Sequence, residues 1–304
     1  MTLVIVMCSK RKRAEADSAL YARDLDADDT QAVANAWGDR LARAPTQVPA
    51  GDLYAGRGFL EARRAAAHLE ADLAVVSAGL GLVEATTLAP SYSLTTASRD
   101  ADSVLAKTRG SASAWWSALQ AASPFSSSAP ARETGLILAG LSAPYLSMVA
   151  DEWSAWPAER RARLRIFSKE CPSGAAEALA ASWMPYDDRL DAVGSDLAGT
   201  QGDFAQRALR HFAVAIGGSS DAADDSDKVL GALDGLQARN TPVRHRLTDD
   251  AVLQLINAHW ETVGGRSGAM LRHLRGALGF ACEQARFKDL FKQAAAARRL
   301  EATS

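Results

Sequence analysis

The first side chains suited to chemistry follow an apolar run near the start of the chain. Residues 2–7 are typical of an inner parallel strand, and ligands of open α/β sheets bind outside the carboxyl ends of such strands. Backbone amides around Cys8 and Ser9, followed by four consecutive bases from Lys10, suit an anion such as a phosphate. Lys10 is also a candidate nucleophile if its pKa is lowered, for which the neighbouring bases are a partial reason. The alternative is a strand that ends in a solvated run of charge.

A carboxylate and an aromatic side chain lie close together at Asp52 and Tyr54, at the start of a helix predicted over residues 54–70. Asp52 is the candidate for a catalytic carboxylate. The alternative role is an N-cap, in which the carboxylate accepts backbone hydrogen bonds at the start of the helix.

Small and aromatic residues mark three further turns. Ser77, Gly79 and Gly81 follow a predicted strand and would let backbone approach a ligand, but their spacing matches neither a P-loop nor a complete GxGxxG motif. Tyr92 lies in a loop that begins with a proline, where a simply packed aromatic is the alternative. Because strand ends converge at one sheet edge, we expect a largely preformed pocket there. Its predicted members are Cys8, Ser9, Lys10, Asp52, Tyr54, Ser77, Gly79, Tyr92, Ser142 and Tyr145.

Three acids lie just before the last helix predicted for the main domain. Asp187, Asp188 and Asp191 are favoured as capping groups and as ion-pair partners of Arg189 and Arg207. The alternative is that this cluster approaches the pocket and supplies the catalytic carboxylate in place of Asp52.

Short apolar strands alternate with amphipathic helices through the first two thirds of the chain. This pattern predicts an α/β fold with a mostly parallel sheet flanked by helices. The predicted strands cover residues 2–7, 73–77, 135–139 and 164–167. The predicted helices cover residues 31–43, 54–70, 98–121, 142–154, 174–182 and 201–216.

Composition excludes several classes of protein. A formal net charge of −2 excludes a uniformly basic coat, so any contact with nucleic acid must use local patches. Cys8, Cys171 and Cys282 include no CxxC pair, and the histidines are dispersed, so we expect no disulfide framework, metal or cofactor. No apolar run has the length of a membrane span. We therefore expect a soluble, cytoplasmic protein without a membrane partner.

A small, acidic segment after Gly217 predicts a division of the chain. We expect an α/β catalytic domain over residues 1–217, a linker over 218–245 that could hold a short helix, and a helical module over 246–304. Glycine turns and scattered bases in the last part predict a helix-turn-helix-like DNA-binding module, with a plain helical bundle as the alternative. The predicted DNA-binding residues are Arg11, Lys12, Arg266, Arg272, Arg275 and Lys288.

Four short motifs carry a resemblance to a known family. They are Cys-Ser-Lys-Arg-Lys at 8–12, Asp-Leu-Tyr-Ala-Gly at 52–56, Val-Ser-Ala-Gly-Leu-Gly-Leu-Val at 76–83 and Pro-Ser-Tyr-Ser-Leu at 90–94. In this order they resemble motifs of proteins related to the peroxide-stress YaaA family, within a superfamily that is similar to uracil-DNA glycosylases. Its relatives include Brig-type antiphage DNA glycosylases, which remove glucosylated hydroxymethylcytosine from phage genomes. The resemblance covers about the first 215 residues.

The resemblance implies a DNA glycosylase that excises a modified base from phage DNA and leaves abasic sites, with DNA as the partner. It implies that Asp52 stabilises the oxocarbenium-like sugar, that Tyr54 and Tyr92 enclose the everted base, and that serines and Lys10 hold flanking phosphates. The sequence departs from uracil-DNA glycosylases in lacking GQDPY-like and HPSP-like motifs. The alternatives are a non-enzymatic YaaA-like DNA-binding stress protein and an enzyme acting on free nucleotides or nucleosides.

Overall fold

The computed structural model describes residues 1–45, 47–238 and 245–301, with side chains described through residue 299. The chain divides into two compact units, Met1–Arg239 and Asn240–Ser304. Within the described ranges, no helix combines the length and the apolar character that crossing a membrane requires.

The first unit contains seven strands and ten α-helices among its described residues. The strands are β1 (Leu3–Met7), β2 (Val48–Pro49), β3 (Asp72–Ser77), β4 (Gly81–Glu84), β5 (Leu88–Ala89), β6 (Ile137–Gly140) and β7 (Leu164–Phe167). The helices are α1 (Thr30–Arg43), α2 (Ala50–Leu53), α3 (Arg57–His68), α4 (Ala112–Ala122), α5 (Ala129–Arg132), α6 (Ala143–Ser154), α7 (Ala158–Ala162), α8 (Leu190–Val193), α9 (Phe204–His211) and α10 (Ala222–Leu233). Short 3-10 helices cover Ala22–Asp24, Val104–Ala106, Gly174–Ser182 and Gln201–Asp203, and a π-helical turn covers Phe212–Ile216.

A five-stranded sheet in the order β4-β3-β1-β6-β7 forms the centre of this unit. β1 lies in the middle and pairs in parallel with β3 and β6, with Val4 opposite both Leu73 and Leu138. Leu3 to Val6 are fully buried because helices cover both faces, which explains why the strand is apolar at every position. The predicted α/β fold with a mostly parallel sheet flanked by helices is confirmed.

β4 is a strand that the sequence analysis did not foresee. Gly81 adopts a positive φ of 81° and lies opposite Ser77, so the chain reverses directly and β4 runs antiparallel along the edge of β3. The glycines predicted to approach a ligand instead belong to this tight connection, which a side chain at position 81 would strain.

Several predicted helices have different bounds. The helix predicted over 54–70 is interrupted, because Gly56 has a φ of 117° and separates α2 from α3. The helix predicted over 98–121 is shorter in the structure, where the α-helix covers Ala112–Ala122. Residues 174–182 form a 3-10 helix. The region 201–216 changes from a 3-10 to an α and then to a π geometry.

The predicted linker contains α10, which is part of the first unit. Asp221 caps this helix by accepting the Ala223 amide at 2.8 Å, and Val229 and Leu233 are fully buried in the core. Asp225 is also fully buried and pairs with Arg165 of β7 at 2.7 Å. Residues 222–233 are therefore structural parts of the α/β unit, while residues 239–244 of the predicted linker lie outside the described residues.

The second unit is helical, with α11 (Asp249–Ala258), a 3-10 helix at Glu261–Val263, α12 (Ser267–Gly276) and α13 (Gln284–Glu301). Two short strands, β8 (His245–Arg246) and β9 (Phe280–Ala281), pair in parallel. Its own core includes Val252, Ile256, Met270, Leu274 and Phe287. Three helices around a small core fit the predicted helical module; its helix-turn-helix-like character stays a prediction.

Candidate functional site

A network of hydroxyl groups lies at the carboxyl ends of β1 and β3. The Ser77 Oγ and the Tyr92 hydroxyl share a hydrogen bond of 2.6 Å, and the Tyr92 and Tyr54 hydroxyls lie 3.2 Å apart. Ser77 also accepts the Leu80 amide at 3.0 Å, which ties the network to the turn after β3. Because all three side chains are buried, they form a fixed wall.

Lys12 packs its amine on this wall. The Nζ atom lies 4.0 Å from the centre of the Tyr92 ring and 6.0 Å from that of Tyr54, a cation–π arrangement. Burial lowers the pKa of Lys12, and attraction to Cys8 and Asp102 only partly opposes this effect. A lysine in such a place provides neutral amine at lower pH than a solvated lysine, as a nucleophile requires.

Cys8 and Tyr145 extend the cluster across β1 toward β6. The Cys8 Sγ lies 3.1 Å from the Tyr145 hydroxyl, so the ends of three neighbouring strands meet here. Burial raises the pKa values of Tyr54, Tyr92 and Tyr145 well above the ordinary range, with a further contribution from the nearby Cys8. These tyrosines therefore stay neutral and act as hydrogen-bonding groups and apolar walls.

Three cavities open along the same edge. One of about 460 Å³ lies between the β1 end, the start of α3 and α9, and is lined by Cys8, Ser9 and Gln206 among others. A second of about 310 Å³ shares Met7 and Gly202 with the first and reaches Ser142. The third, a groove of about 300 Å³, is lined by Lys10, Lys12, Arg13, Tyr92 and neighbouring residues. Volumes of this size hold small organic ligands.

Lys10 lies at the surface of the first unit. Its side chain is 77% exposed and its amine forms an ion pair with Asp100 at the surface. A lowered pKa, the property required of a lysine nucleophile, is found at Lys12. The reason is local packing: Tyr54 and Tyr92 cover Lys12, whereas Lys10 points to solvent.

Asp52 is the main correction. It lies inside α2 and caps neither helix, since Pro49 and Gly56 hold the N-cap positions of α2 and α3. Its carboxylate is 53% exposed and pairs with Arg63 at 2.6 Å. Across the described part of the chain, no hydrogen bond or ion pair joins Asp52 to Lys10, Ser77 or Tyr92. The alternative N-cap role is therefore wrong, and the role of Asp52 as the carboxylate facing a sugar stays a prediction.

Three other predicted pocket residues have structural contacts. Gly79 carries the Tyr92 ring, because a Cβ there would lie 2.3 Å from a ring carbon. Ser9 donates to the carbonyls of Arg11 at 2.7 Å and of Ala55 at 2.9 Å, which holds the segment after β1 against the turn before α3. Ser142 is the N-cap residue of α6 and lines the 310 Å³ cavity.

The acidic cluster before α9 forms ion pairs, as favoured from the sequence. Asp187 pairs with Arg189 at 2.9 Å, Asp191 with the buried Arg207 at 2.6 Å, and Asp188 with Lys169 at 2.8 Å. The Arg189 guanidinium lowers the pKa of Asp187 chiefly through its hydrogen bond. A carboxylate that does reach a cavity is Asp203, which lines the 460 Å³ cavity and accepts from Arg207.

The predicted DNA-binding residues divide into two groups. Arg11, Arg266, Arg272 and Lys288 are exposed, as phosphate-binding groups must be. Arg275 is half-buried and donates to the Cys282 carbonyl at 2.7 Å, which gives it a structural role. Lys12 differs too, since its amine lies against the tyrosines.

Lys12 was expected only as a DNA-binding residue, and Asp203 and Gln206 were not expected at the site. No signal within residues 8–13 distinguishes Lys12 from Lys10, because the tyrosines that cover Lys12 come from distant segments. Asp203 and Gln206 lie at the start of α9, far along the chain from the strand ends, and only tertiary packing of α9 against α3 brings them to the cavity. No group of three or more potential metal ligands occurs within residues 1–45, 47–238 and 245–301.

Comparison of the chain with family models, with curated proteins and with solved structures finds no match in any of the three.

Proposed function

We propose that the chain is a DNA N-glycosylase that excises a modified base, with Lys12 as the nucleophile. The observation that carries this proposal is the half-buried Lys12 amine, whose pKa is lowered and which lines a groove at the carboxyl edge of the sheet. The four motifs that resemble YaaA-related proteins and Brig-type glycosylases all contribute to this edge, and they support glucosylated hydroxymethylcytosine in phage DNA as the target.

The proposed reaction begins with attack of the neutral Lys12 Nζ on the sugar C1′. The glycosidic bond breaks, and its electron pair leaves on the base nitrogen, which takes up a proton from the solvent. The amine then passes a proton to the ring oxygen and the bond between that oxygen and C1′ breaks, so that the ring oxygen becomes a hydroxyl group and a protonated Schiff base forms. Addition of water releases the abasic sugar and restores Lys12.

The surroundings of Lys12 suit a strand of DNA. Arg11 and Arg13 are exposed beside the groove and are available for phosphates, which position a strand without reading its sequence. The neutral tyrosines provide an apolar wall, as enclosure of an everted base requires. These exposed arginines form a local basic patch that could bind DNA even though the net charge of the chain is −2.

Borohydride trapping tests the proposal. The full chain is incubated with unmodified, hydroxymethylated and glucosylated phage DNA, and released bases are identified by mass spectrometry. The expected result is base release from modified DNA and a covalent adduct after reduction, both lost in Lys12→Met. Lys10→Met is the matched control and should retain both, because Lys10 lies at the surface.

Two outcomes contradict the proposal in different ways. Base release without a trapped adduct would exclude the lysine nucleophile and leave a hydrolytic glycosylase, for which Asp203 in the wall of the 460 Å³ cavity is a candidate carboxylate. Salt-dependent DNA binding with no base release from any of the DNAs would favour the non-enzymatic DNA-binding protein.

A further inference from the structure

The 460 Å³ cavity is lined by Gln206, whose buried amide oxygen has no partner among the described residues. Gln206 is 3% exposed, and its Oε1 is fully buried and accepts no hydrogen bond from any described residue. Buried amides are normally bonded at both ends, and an unpaired one opposes folding. This amide lies in the wall of a cavity large enough for a ligand, so a ligand can complete its bonding.

The opposite wall carries unpaired backbone donors. α3 begins at Arg57 with Gly56 at its N-cap, and no side chain caps it. The amides of residues 57–59 donate to no acceptor in the part of the chain that the structure describes. The start of a helix with free amides favours an anionic group. Residues 56–59 line the same cavity as Gln206.

Gly58 allows the first turn of α3 to lie close to the Gln206 amide. A Cβ at this position would lie 3.1 Å from Gln206 Oε1, closer than most side-chain contacts. The glycine therefore leaves room for the amide beside the first turn of α3.

From these features we infer that the cavity binds a nucleotide, with the Gln206 amide pairing with the edge of the base and the α3 amides binding its phosphate. A primary amide offers one acceptor and two donors, which match the adjacent amino and ring-nitrogen groups of cytosine or adenine. The choice of cytosine as the base rests on the proposed function. The pairing of the amide with a base and of the α3 amides with a phosphate rests on the cavity alone. Gln206 then determines which base this cavity accepts.

The test measures binding of dCMP to the full chain by isothermal titration calorimetry. We expect dCMP to bind more tightly than deoxycytidine, because only dCMP carries the phosphate. Gln206→Met should weaken dCMP binding about tenfold or more, since it removes the hydrogen bonds and keeps the side-chain length. Gly58→Ala should also weaken it, because the new methyl group displaces the amide.

A control variant and a stability measurement separate binding from packing. Gln31→Met alters an exposed glutamine of α1 and should leave dCMP binding unchanged. Gln206→Met should melt at or above the wild-type temperature, because it removes an unpaired polar group. Loss of stability with unchanged dCMP affinity would show that Gln206 only packs, and would overturn the inference. Failure of dCMP to bind the wild type at millimolar concentration would also overturn it.

Base release from glucosylated phage DNA by the same variants distinguishes this inference from the proposed function. Wild-type binding of dCMP that Gln206→Met weakens, without base release, would refute the glycosylase and support the nucleotide site. Base release that Gln206→Met leaves unchanged would support the glycosylase and refute the role of Gln206.

Discussion

Replacing Asp225 by asparagine tests whether α10 belongs to the α/β unit. Arg165 and Asp225 are both fully buried and their charged atoms lie 2.7 Å apart. The Arg165 guanidinium also donates to the carbonyls of Ala162, Leu164 and Ser219 at 2.8–3.0 Å, so asparagine removes the neutralising charge and leaves these bonds. Breaking a buried ion pair in this way costs about 3–5 kcal/mol, and the retained bonds favour the lower end. About 3 kcal/mol corresponds to a melting temperature lowered by about 6–12 °C in a unit of this size.

Thermal unfolding followed by tryptophan fluorescence is a suitable assay, because Trp37 and Trp153 lie in the core of the same unit. Asp224→Asn is the matched control, since Asp224 is half exposed, pairs with Lys228 on the same helix and should leave the melting temperature unchanged. The double variant Arg165→Met/Asp225→Leu should recover much of the loss, because it leaves no unpaired charge. If Asp225→Asn melts with the wild type, the reasoning is refuted and residues 222–233 act as a linker.

Three further predictions concern the site and the second unit. Because burial lowers the pKa of Lys12, its neutral amine becomes available at lower pH than that of a solvated lysine. The rate of base release should therefore rise with pH and level off below about pH 10.4. A rate that falls as the pH rises in this range would argue against a lysine nucleophile. Gly79→Ala places a methyl group 2.3 Å from a Tyr92 ring carbon, so it should lower the free energy of unfolding in urea by about 1–3 kcal/mol. The displaced ring should also abolish borohydride trapping at Lys12. Full trapping would show that the Tyr92 wall is dispensable. Arg272→Glu replaces an exposed base of α12 and should reduce the slope of log binding constant against log salt by about 1 for DNA, whereas an unchanged slope would exclude Arg272 from the DNA contact.

The central sheet was predictable from sequence because its strands are apolar at every position. A run such as residues 2–7 has one stable place, the middle of a covered parallel sheet, and the structure places β1 there. β4 escaped prediction because its continuous apolar run reads as part of the preceding strand, and the reversal depends on one glycine. α10 was expected only as a short helix within a linker, because its residues are acidic and small, while the contacts that fix it, the Arg165 pair and the packing of Val229 and Leu233, are tertiary.

The site was predictable at the level of segments and not of side-chain direction. Tyr54, Ser77, Tyr92 and Tyr145 were expected at one edge, and the structure places them in one cluster with Cys8. Which lysine turns inward is decided by the tyrosines that cover it, and those come from distant segments. No pattern within residues 8–13 contains that information.

The surface ion pair of Asp52 and the half-buried amine of Lys12 have one explanation under the proposed function. A hydrolytic glycosylase needs a carboxylate in contact with the sugar, because the oxocarbenium-like transition state carries positive charge and water is a weak nucleophile. The Asp52 carboxylate is half exposed and paired with Arg63, so its charge is already partly neutralised. An amine that attacks C1′ supplies the electron pair itself, so the reaction has less need of either. The absence of GQDPY-like and HPSP-like motifs from the sequence is consistent with this covalent route, since it does not begin by activating water.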